Sequence, residues 1–365
     1  MKVMTIFGTR PEIIRLSLIM KVLDQHCDHV MVHTGQNFDA SLSDVFFSEL
    51  EIRSPDVHLG IRSGKFGEQV GEILSLTDAA LDEASPDRIL ILGDTNSALA
   101  AIVAARRQIP VFHMEAGNRC YDDRVPEEIN RRIVDHSSSI LMPYTERSRQ
   151  NLIREGIESQ RIYVTGNPIK EVIDSVADRV AASTVMETQG VRPFEYFVAT
   201  LHRAENVDVP ERLRSIFSGL EQVAECIGKR VFVSLHPRTA EKLSQEGINI
   251  DQEKVRLLTP LGFSDFLCLE KNALAVVTDS GTVQEECCIF GVPNVTVRDV
   301  TERPETIECG SNILASAEPD AIVNAVEIAI GQPASWQPPS EYLVSNVAQT
   351  VSKIVLGHSL HHVAG

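Results

Sequence analysis

The chain has 365 residues, 34 basic against 51 acidic side chains, a formal net charge of −17 and 43% hydrophobic residues. That length exceeds one ordinary core and calls for two domains. The acidic balance argues against nucleic acid or an acidic membrane surface as partner, while a small anionic ligand held by a local cluster of donors stays allowed.

No stretch reaches the length of a membrane span, and no basic flank with a long apolar run follows Met1. A cytoplasmic protein is expected. The seven cysteines, at 27, 120, 226, 268, 287, 288 and 309, lack any CxxC spacing, so neither a disulfide framework nor a zinc site is expected.

In chain order, residues 3–7 form an apolar run ending in Gly8. From Glu12 the apolar side chains Ile13, Ile14, Leu16, Leu18, Ile19 and Leu23 recur at helical spacing, which predicts strand, tight turn and helix. Further strands are predicted at 29–33, 88–92, 109–113 and 140–142, and helices around 42–50, 96–107 and 127–137. Such alternation implies parallel strands with right-handed crossovers. The series ends near Gly166-Asn167-Pro168, and a second starts after the breaker-containing segment 190–193. Its strands are predicted at 196–201, 230–235, 255–258, 273–278 and 293–297. The expected class is α/β, with two Rossmann-like doubly wound domains at 1–168 and 169–339. A last helix near 342–356, in segment 340–365, returns to the first domain. Ligands then belong at the carboxyl ends of the strands, in the cleft where the domains face each other.

Several stretches fall at such ends. Gly8-Thr9-Arg10-Pro11-Glu12 offers a glycine for close backbone approach, an arginine that can fork onto phosphate, and a proline that opens the helix. Asp94, after an apolar strand and Gly93, reads either as a helix cap or as a carboxylate aimed at the ligand. The run His113 to Arg132 packs Glu115, Arg119, Asp122, Asp123 and Arg124 between a strand and the helix opening Pro126-Glu127-Glu128. Glu127 with Arg131, and Glu128 with Arg132, are spaced for surface ion pairs. Glu115, by contrast, is expected to be half-buried and thereby a usable acid or base. In the second half, His202, Arg203 and Asn206 follow one strand and His236 another. Asp279-Ser280-Gly281-Thr282 opens a helix in the geometry that binds diphosphate.

Taken together these motifs are similar to those of the non-hydrolysing UDP-N-acetylglucosamine 2-epimerases. They are GTRPE at 8–12, HTGQ at 33–36, GDT at 93–95, EAG at 115–117, PEEINR at 126–131, HRAEN at 202–206, DSG with QEE at 279–286, and TERPE at 301–305. The resemblance implies a glycosyltransferase-B-like pair of Rossmann domains, a homodimer, and inversion at C2 of a UDP-2-acetamido sugar with no metal or nicotinamide. UDP leaves by anti elimination to a 2-acetamidoglycal and re-adds after protonation of C2 from the other face. By that resemblance Asp94, Glu115 and Glu127 are the acid/base carboxylates, and Arg10 and His202 assist UDP departure. Ser280, Gly281 and Glu286 hold diphosphate and ribose, Arg303 serves the nucleotide end, Arg131 orients Glu127, and Arg15, Arg203, Asn206 and Thr282 are further substrate-binding residues.

The chain also departs from the commonest form of that family. Arg15 stands for a lysine, Thr282 for a second glycine, and His236-Pro237-Arg238 lacks the usual asparagine. Asn118, Cys120 and the run DDRVPEEINRR look more like the subgroup that converts UDP-2-acetamido-2,6-dideoxy-L-talose into UDP-N-acetyl-L-fucosamine. A UDP-sugar-dependent glycosyltransferase of the same fold and a hydrolysing 2-epimerase are the competing readings.

Overall fold

The computed structural model describes residues 1–35 and 46–359; Gln36 and the start of the helix expected at 42–50 lie outside them. The chain divides into two units, Met1–Asp174 with the segment from Glu341, and Ser175–Ser340.

The first unit is a six-stranded parallel sheet. Its strands are β1 (Lys2–Phe7), β2 (Asp28–His33), β3 (Val57–His58), β4 (Arg88–Leu92), β5 (Val111–Met114) and β6 (Ile140–Met142), in the order β3-β2-β1-β4-β5-β6. Met4, Ile6, Val32, Ile89, Ile91 and Val111 from its strands pack with Ile73, Leu81 and Ala100 from its helices. Burial of each large aliphatic side chain contributes roughly 1.5–3 kcal/mol. Neither β3 nor the helix Phe66–Ala84 is legible as periodicity. The strand has two residues, and the helix buries only Ile73, Thr77, Ala80 and Leu81, a stripe too narrow to stand out. The expected helix at 96–107 begins as a 3-10 turn, Asn96–Leu99, before Ala100–Arg106. The last helix, Val347–Gly357, packs on Arg10–His26, and Arg88 donates from Nη2 to the His358 carbonyl at 2.8 Å.

The second unit repeats the pattern with β7 (Phe197–Thr200), β8 (Val231–Ser234), β9 (Val255–Leu258), β10 (Ala275–Thr278), β11 (Asn294–Val297) and β12 (Asn312–Ala315), in the order β12-β11-β10-β7-β8-β9. The sixth strand, β12, completes it beyond the five expected from sequence. In each sheet the strand order reverses once, between β1 and β4 and between β7 and β10. At such a switch point neighbouring loops diverge and leave a crevice at the strand ends. The residues following β1, β4 and β10 are Gly8, Gly93 and Asp279, which open three of the motifs, and Leu201 after β7 leads into a fourth at His202.

Candidate active site

At the first switch point Glu12 joins two motifs. Its Oε2 accepts the Gly8 N–H at 2.8 Å, the Thr9 N–H at 2.7 Å and the Thr9 hydroxyl at 2.9 Å, while Oε1 accepts the Thr95 hydroxyl at 2.8 Å. The turn after β1 is thereby tied to the turn after β4. Burial pushes the Glu12 carboxyl up to about 7, against the pull of those hydrogen bonds from Gly8, Thr95 and Thr9. Arg10, the first helical residue, lies with its guanidinium 5.7 Å from the Phe46 ring centroid.

Glu115 ends β5 with φ +63°, a left-handed conformation that costs a non-glycine residue about 1 kcal/mol or more. Its backbone is held there by a 3.2 Å bond from its N–H to the Met142 carbonyl. Gly117 follows at φ +78°, where a Cβ would run into the Ser148 carbonyl and lie 2.8 Å from Leu152 Cγ. The EAG motif is therefore a packing requirement as much as a chemical one. The Glu115 side chain is buried, at 8% exposure, rather than half-exposed as expected. Arg15 pairs with its Oε2, Tyr144 donates to the same oxygen at 3.3 Å, and Asn118 Nδ2 donates to Oε1 at 3.2 Å. An arginine on a buried carboxylate favours the ionised form, which opposes the effect of burial. Ser148 in turn donates its hydroxyl to Asn118 Oδ1 at 2.8 Å, fixing the amide's orientation. Glu115 Oε2 lies 3.9 Å from where a Gly93 Cβ would stand, which brings Glu115 to the residue before Asp94.

Asp94 is not a helix cap: Thr95 occupies that position for the Asn96–Leu99 turn. Its carboxylate receives Arg131 instead, Nε at 2.8 Å and Nη2 at 2.6 Å, and its carbonyl accepts Asn130 Nδ2 at 3.0 Å. Of the successive glutamates opening the helix Pro126–Ser137, Glu128 is fully buried and Glu127 is half-buried. Glu128 accepts the N–H groups of Cys120 and Tyr121 at 3.1 and 3.0 Å and pairs with Arg131 Nη1 at 2.7 Å. Burial raises its pKa, yet the Cys120 N–H and the Arg131 charge outweigh that and hold the carboxyl below its ordinary range. Behind the loop, Asp135 gathers His113 Nδ1 (2.9 Å), the Gly117 N–H (3.1 Å) and Arg119 (2.7 Å), bracing it from below.

At the second switch point the organising residue is Asp279. It accepts the His202 and Arg203 N–H groups at 3.1 and 3.0 Å and Asn206 Nδ2 at 3.2 Å, and lies 3.1 Å from His202 Nδ1. Burial pushes this carboxyl up, but the neighbouring His202 and the donors around it bring it down to about 2. An ionised Asp279 can only accept, so His202 Nδ1 donates and Nε2 is left to exchange a proton. Asn206 is fully buried and also bonds the Val297 carbonyl and Arg212, linking the ends of β10 and β11.

Ser280 caps the helix Gly281–Phe290, with its N–H on Thr278 Oγ1 at 3.0 Å. A Cβ added at Gly281 would stand 3.7 Å from the Arg303 guanidinium, and Thr282 is half-buried on the first turn. Arg303 pairs with buried Glu285. Glu286 lies against the fully buried Glu270, whose own carboxyl is pushed well up, first by burial and then by the Glu286 charge. Arg298 grips Glu302 through two nitrogens at 2.6 and 3.1 Å, and Arg203 Nη2 approaches the same carboxylate at 3.9 Å.

In the first unit the structure pairs Arg15 with Glu115 and Arg131 with Asp94, and the same unit carries Arg10 and Glu127. His202, Arg203, Asn206, Ser280, Gly281, Thr282, Glu286 and Arg303 gather in the second. Sequence reasoning misses Tyr144 and Arg298 as members of these clusters and quotes Glu12, Glu128 and Asp279 within their motifs without the partners that they meet here. Only Asp279, a charged residue directly after an apolar strand, carries a local signal.

Two Rossmann-type sheets, each with a charged cluster at its switch point, define an α/β enzyme of the glycosyltransferase-B-like class. A lipopolysaccharide glycosyltransferase that is only 10% identical shares this fold with a TM-score of 0.61, a likeness of fold alone. The family model for UDP-N-acetylglucosamine 2-epimerase matches residues 21–356. A UDP-N-acetylglucosamine 2-epimerase of Methanocaldococcus jannaschii is 42% identical over 353 residues, covering 93% of this chain and 95% of that protein. A UDP-2,3-diacetamido-2,3-dideoxy-D-glucuronate 2-epimerase of Pseudomonas aeruginosa is 37% identical over 337 residues, covering 91% and 93%. The crystal structure of a M. jannaschii UDP-GlcNAc 2-epimerase in complex with UDP-GlcNAc and UDP superposes with a TM-score of 0.93 at 40% identity, covering 97% of this chain and 99% of that one. The chain belongs to the UDP-N-acetylglucosamine 2-epimerase family. No helix among the described residues is long and apolar enough to cross a membrane.

Proposed function

We propose that the chain is a non-hydrolysing 2-epimerase that interconverts UDP-GlcNAc and UDP-ManNAc. The observation that carries this reading is Glu115, a buried carboxylate clamped by Arg15, Tyr144 and Asn118 beside Asp94. The C2 proton of a 2-acetamido sugar is barely acidic, so UDP departure from C1 must lead and leave positive character that loosens it. Diphosphate stabilisation and proton carriers on both faces of C2 follow as requirements.

In this scheme Asp94, Glu115 and Glu127 carry protons at C2, and Arg10 and His202 assist the leaving diphosphate. Pairing with Asp279 leaves His202 Nε2 as the atom that gives the proton. The helix N-terminus at Ser280, Gly281 and Thr282 takes diphosphate, Glu286 the ribose, and Arg203 and Arg303 the nucleotide end. Arg15 and Arg131 act by orienting Glu115 and Asp94. The working form is a homodimer, which light scattering in solution tests.

A second substrate, the 6-deoxy-L-talose nucleotide, is favoured by one observation: Asn118, within the run that departs from the commonest pattern, bonds Glu115 itself. The test is incubation of each UDP-sugar alone in deuterated water. Deuterium at C2 of recovered UDP-sugar is expected. Reaction only after adding an acceptor points to a glycosyltransferase, and free UDP rising in step with reducing sugar points to a hydrolysing enzyme.

A further inference from the structure

Two cysteines outside both charged clusters lie within reach of each other. Cys288 is buried near the end of the helix Gly281–Phe290, Cys309 is partly exposed at the C-cap of the helix Pro304–Glu308, and their sulfurs are 3.6 Å apart. Ser311 Oγ lies 3.4 Å from Cys309 Sγ, and the indole Nε1 of Trp336 donates to the Cys288 carbonyl at 3.0 Å. From these positions we infer that Cys288 and Cys309 form a peroxide-responsive thiol pair, with Cys309 the attacking sulfur and Cys288 the resolving one.

The assignment of roles follows from access and polarity. Cys309 meets solvent and Cys288 does not, so an incoming hydroperoxide reaches Cys309 first. The Cys288 thiol, followed by Ser311 and backbone N–H groups, draws the Cys309 thiol down to about 6, while Cys288 is raised by Cys309 and by burial. A thiolate that is accessible and sits beside a second thiol is the arrangement that oxidises selectively.

In the first step the Cys309 thiolate attacks a peroxide oxygen and the O–O bond breaks. The departing hydroxide takes a proton and leaves as water, and sulfur is oxidised to the sulfenic acid while peroxide is reduced. In the second step the Cys288 sulfur attacks that sulfenic sulfur, the S–S bond forms and the S–O bond breaks. The released hydroxide leaves as water with the Cys288 proton. Closing from 3.6 Å to a bonded separation of about 2 Å draws the two helices together at these ends. Those helices begin at Ser280 and Arg303, so the bond joins the two elements that start at the second cluster.

The test is treatment of the full native chain with hydrogen peroxide, followed by alkylation and peptide mapping. Exposed Cys226 serves as an internal control. The expected result is a fall in alkylatable thiols from seven to five, a mass loss of about 2 Da, and a Cys288–Cys309 cross-linked peptide forming before Cys226 changes. The fluorescence of Trp336, the chain's one tryptophan, should shift with the same time course. In Cys288→Ser a sulfenic acid should persist on Cys309 and be trapped by dimedone. Oxidation of Cys226 ahead of Cys309, or a Cys288→Ser protein whose Cys309 gains no dimedone, would overturn the inference. Because wild-type peptide mapping needs neither substitution nor activity, the result is independent of the proposed reaction.

Discussion

Arg131 sets two nitrogens on one oxygen of Asp94, Nε at 2.8 Å and Nη2 at 2.6 Å, and sends its third, Nη1, to Glu128 at 2.7 Å. One guanidinium thus pins the helix Pro126–Ser137 to the end of β4 and aims the Asp94 carboxylate. Lysine in its place keeps the charge but offers a single point donor. The expected cost of Arg131→Lys is roughly 2–4 kcal/mol, below the usual loss for a broken buried pair because Asp94 retains some access to water. Deuterium exchange at C2 should fall roughly tenfold or more. Urea unfolding and the exchange assay measure the two effects; exchange within twofold of wild type would remove Arg131 from any orienting role.

Glu12 gives a pH signature of opposite sign to most carboxylates. Its folded pKa is raised from 4.5 to about 7 by burial, so the folded chain holds a proton that the unfolded chain releases. The stability linked to this group is present below pH 4.5, declines as pH rises through about 7, and amounts to about 3 kcal/mol. Glu12→Gln retains an acceptor for Gly8 and Thr9 and places an amide on the Thr95 hydroxyl. Wild type should therefore lose stability relative to this variant between those pH values, as read from thermal midpoints. Midpoints that track each other across the whole range would mean that Glu12 does not hold its proton in the fold.

The contrast between Glu12 and Glu115 marks what the sequence can disclose. The strands that end in Gly8, Gly93 and Asp279 are legible because a buried parallel strand is a continuous apolar run, and a glycine or charge interrupts it. Glu115 is legible as a site residue for the same reason. Its burial against Arg15 is not, because the two are a hundred residues apart and meet only through the β1-β4-β5 order of the sheet. Glu12 looks like an ordinary capping-box glutamate, and its bond to Thr95 again depends on sheet order. Asn206 shows the same limit for burial. A polar residue in a loop motif suggests an exposed side chain, yet here it is buried and bonds the Val297 carbonyl.

Glu115→Gln separates binding from chemistry. The amide preserves size and one acceptor for Tyr144 but cannot take a proton from carbon. It also leaves Arg15 buried without its carboxylate, which should lower the thermal midpoint. UDP binding, proposed above for the second unit, should stay near wild type by calorimetry. C2 exchange should fall by about 10²–10⁴, the range of a positioned general base. Near-normal exchange would transfer the role to Asp94 or Glu127.

Asp279 is the usual carboxylate case, and the sign reverses accordingly. With its folded pKa near 2 against an ordinary 3.8, it contributes stability that is present above 3.8 and is lost as pH falls through about 2. The contribution at neutral pH is about 2 kcal/mol. Asp279→Asn removes the charge and turns an amide toward the His202 and Arg203 N–H groups, which have no use for another donor. The variant should be less stable at pH 7 and should lack the wild-type decline between pH 4 and 2, measured by thermal unfolding across that range. His202 also loses the partner that orders its tautomer, so the pH–rate profile for epimerisation should shift along with stability. A stability change with an unmoved pH–rate profile would confine Asp279 to holding the loop and take His202 Nε2 out of the proton path.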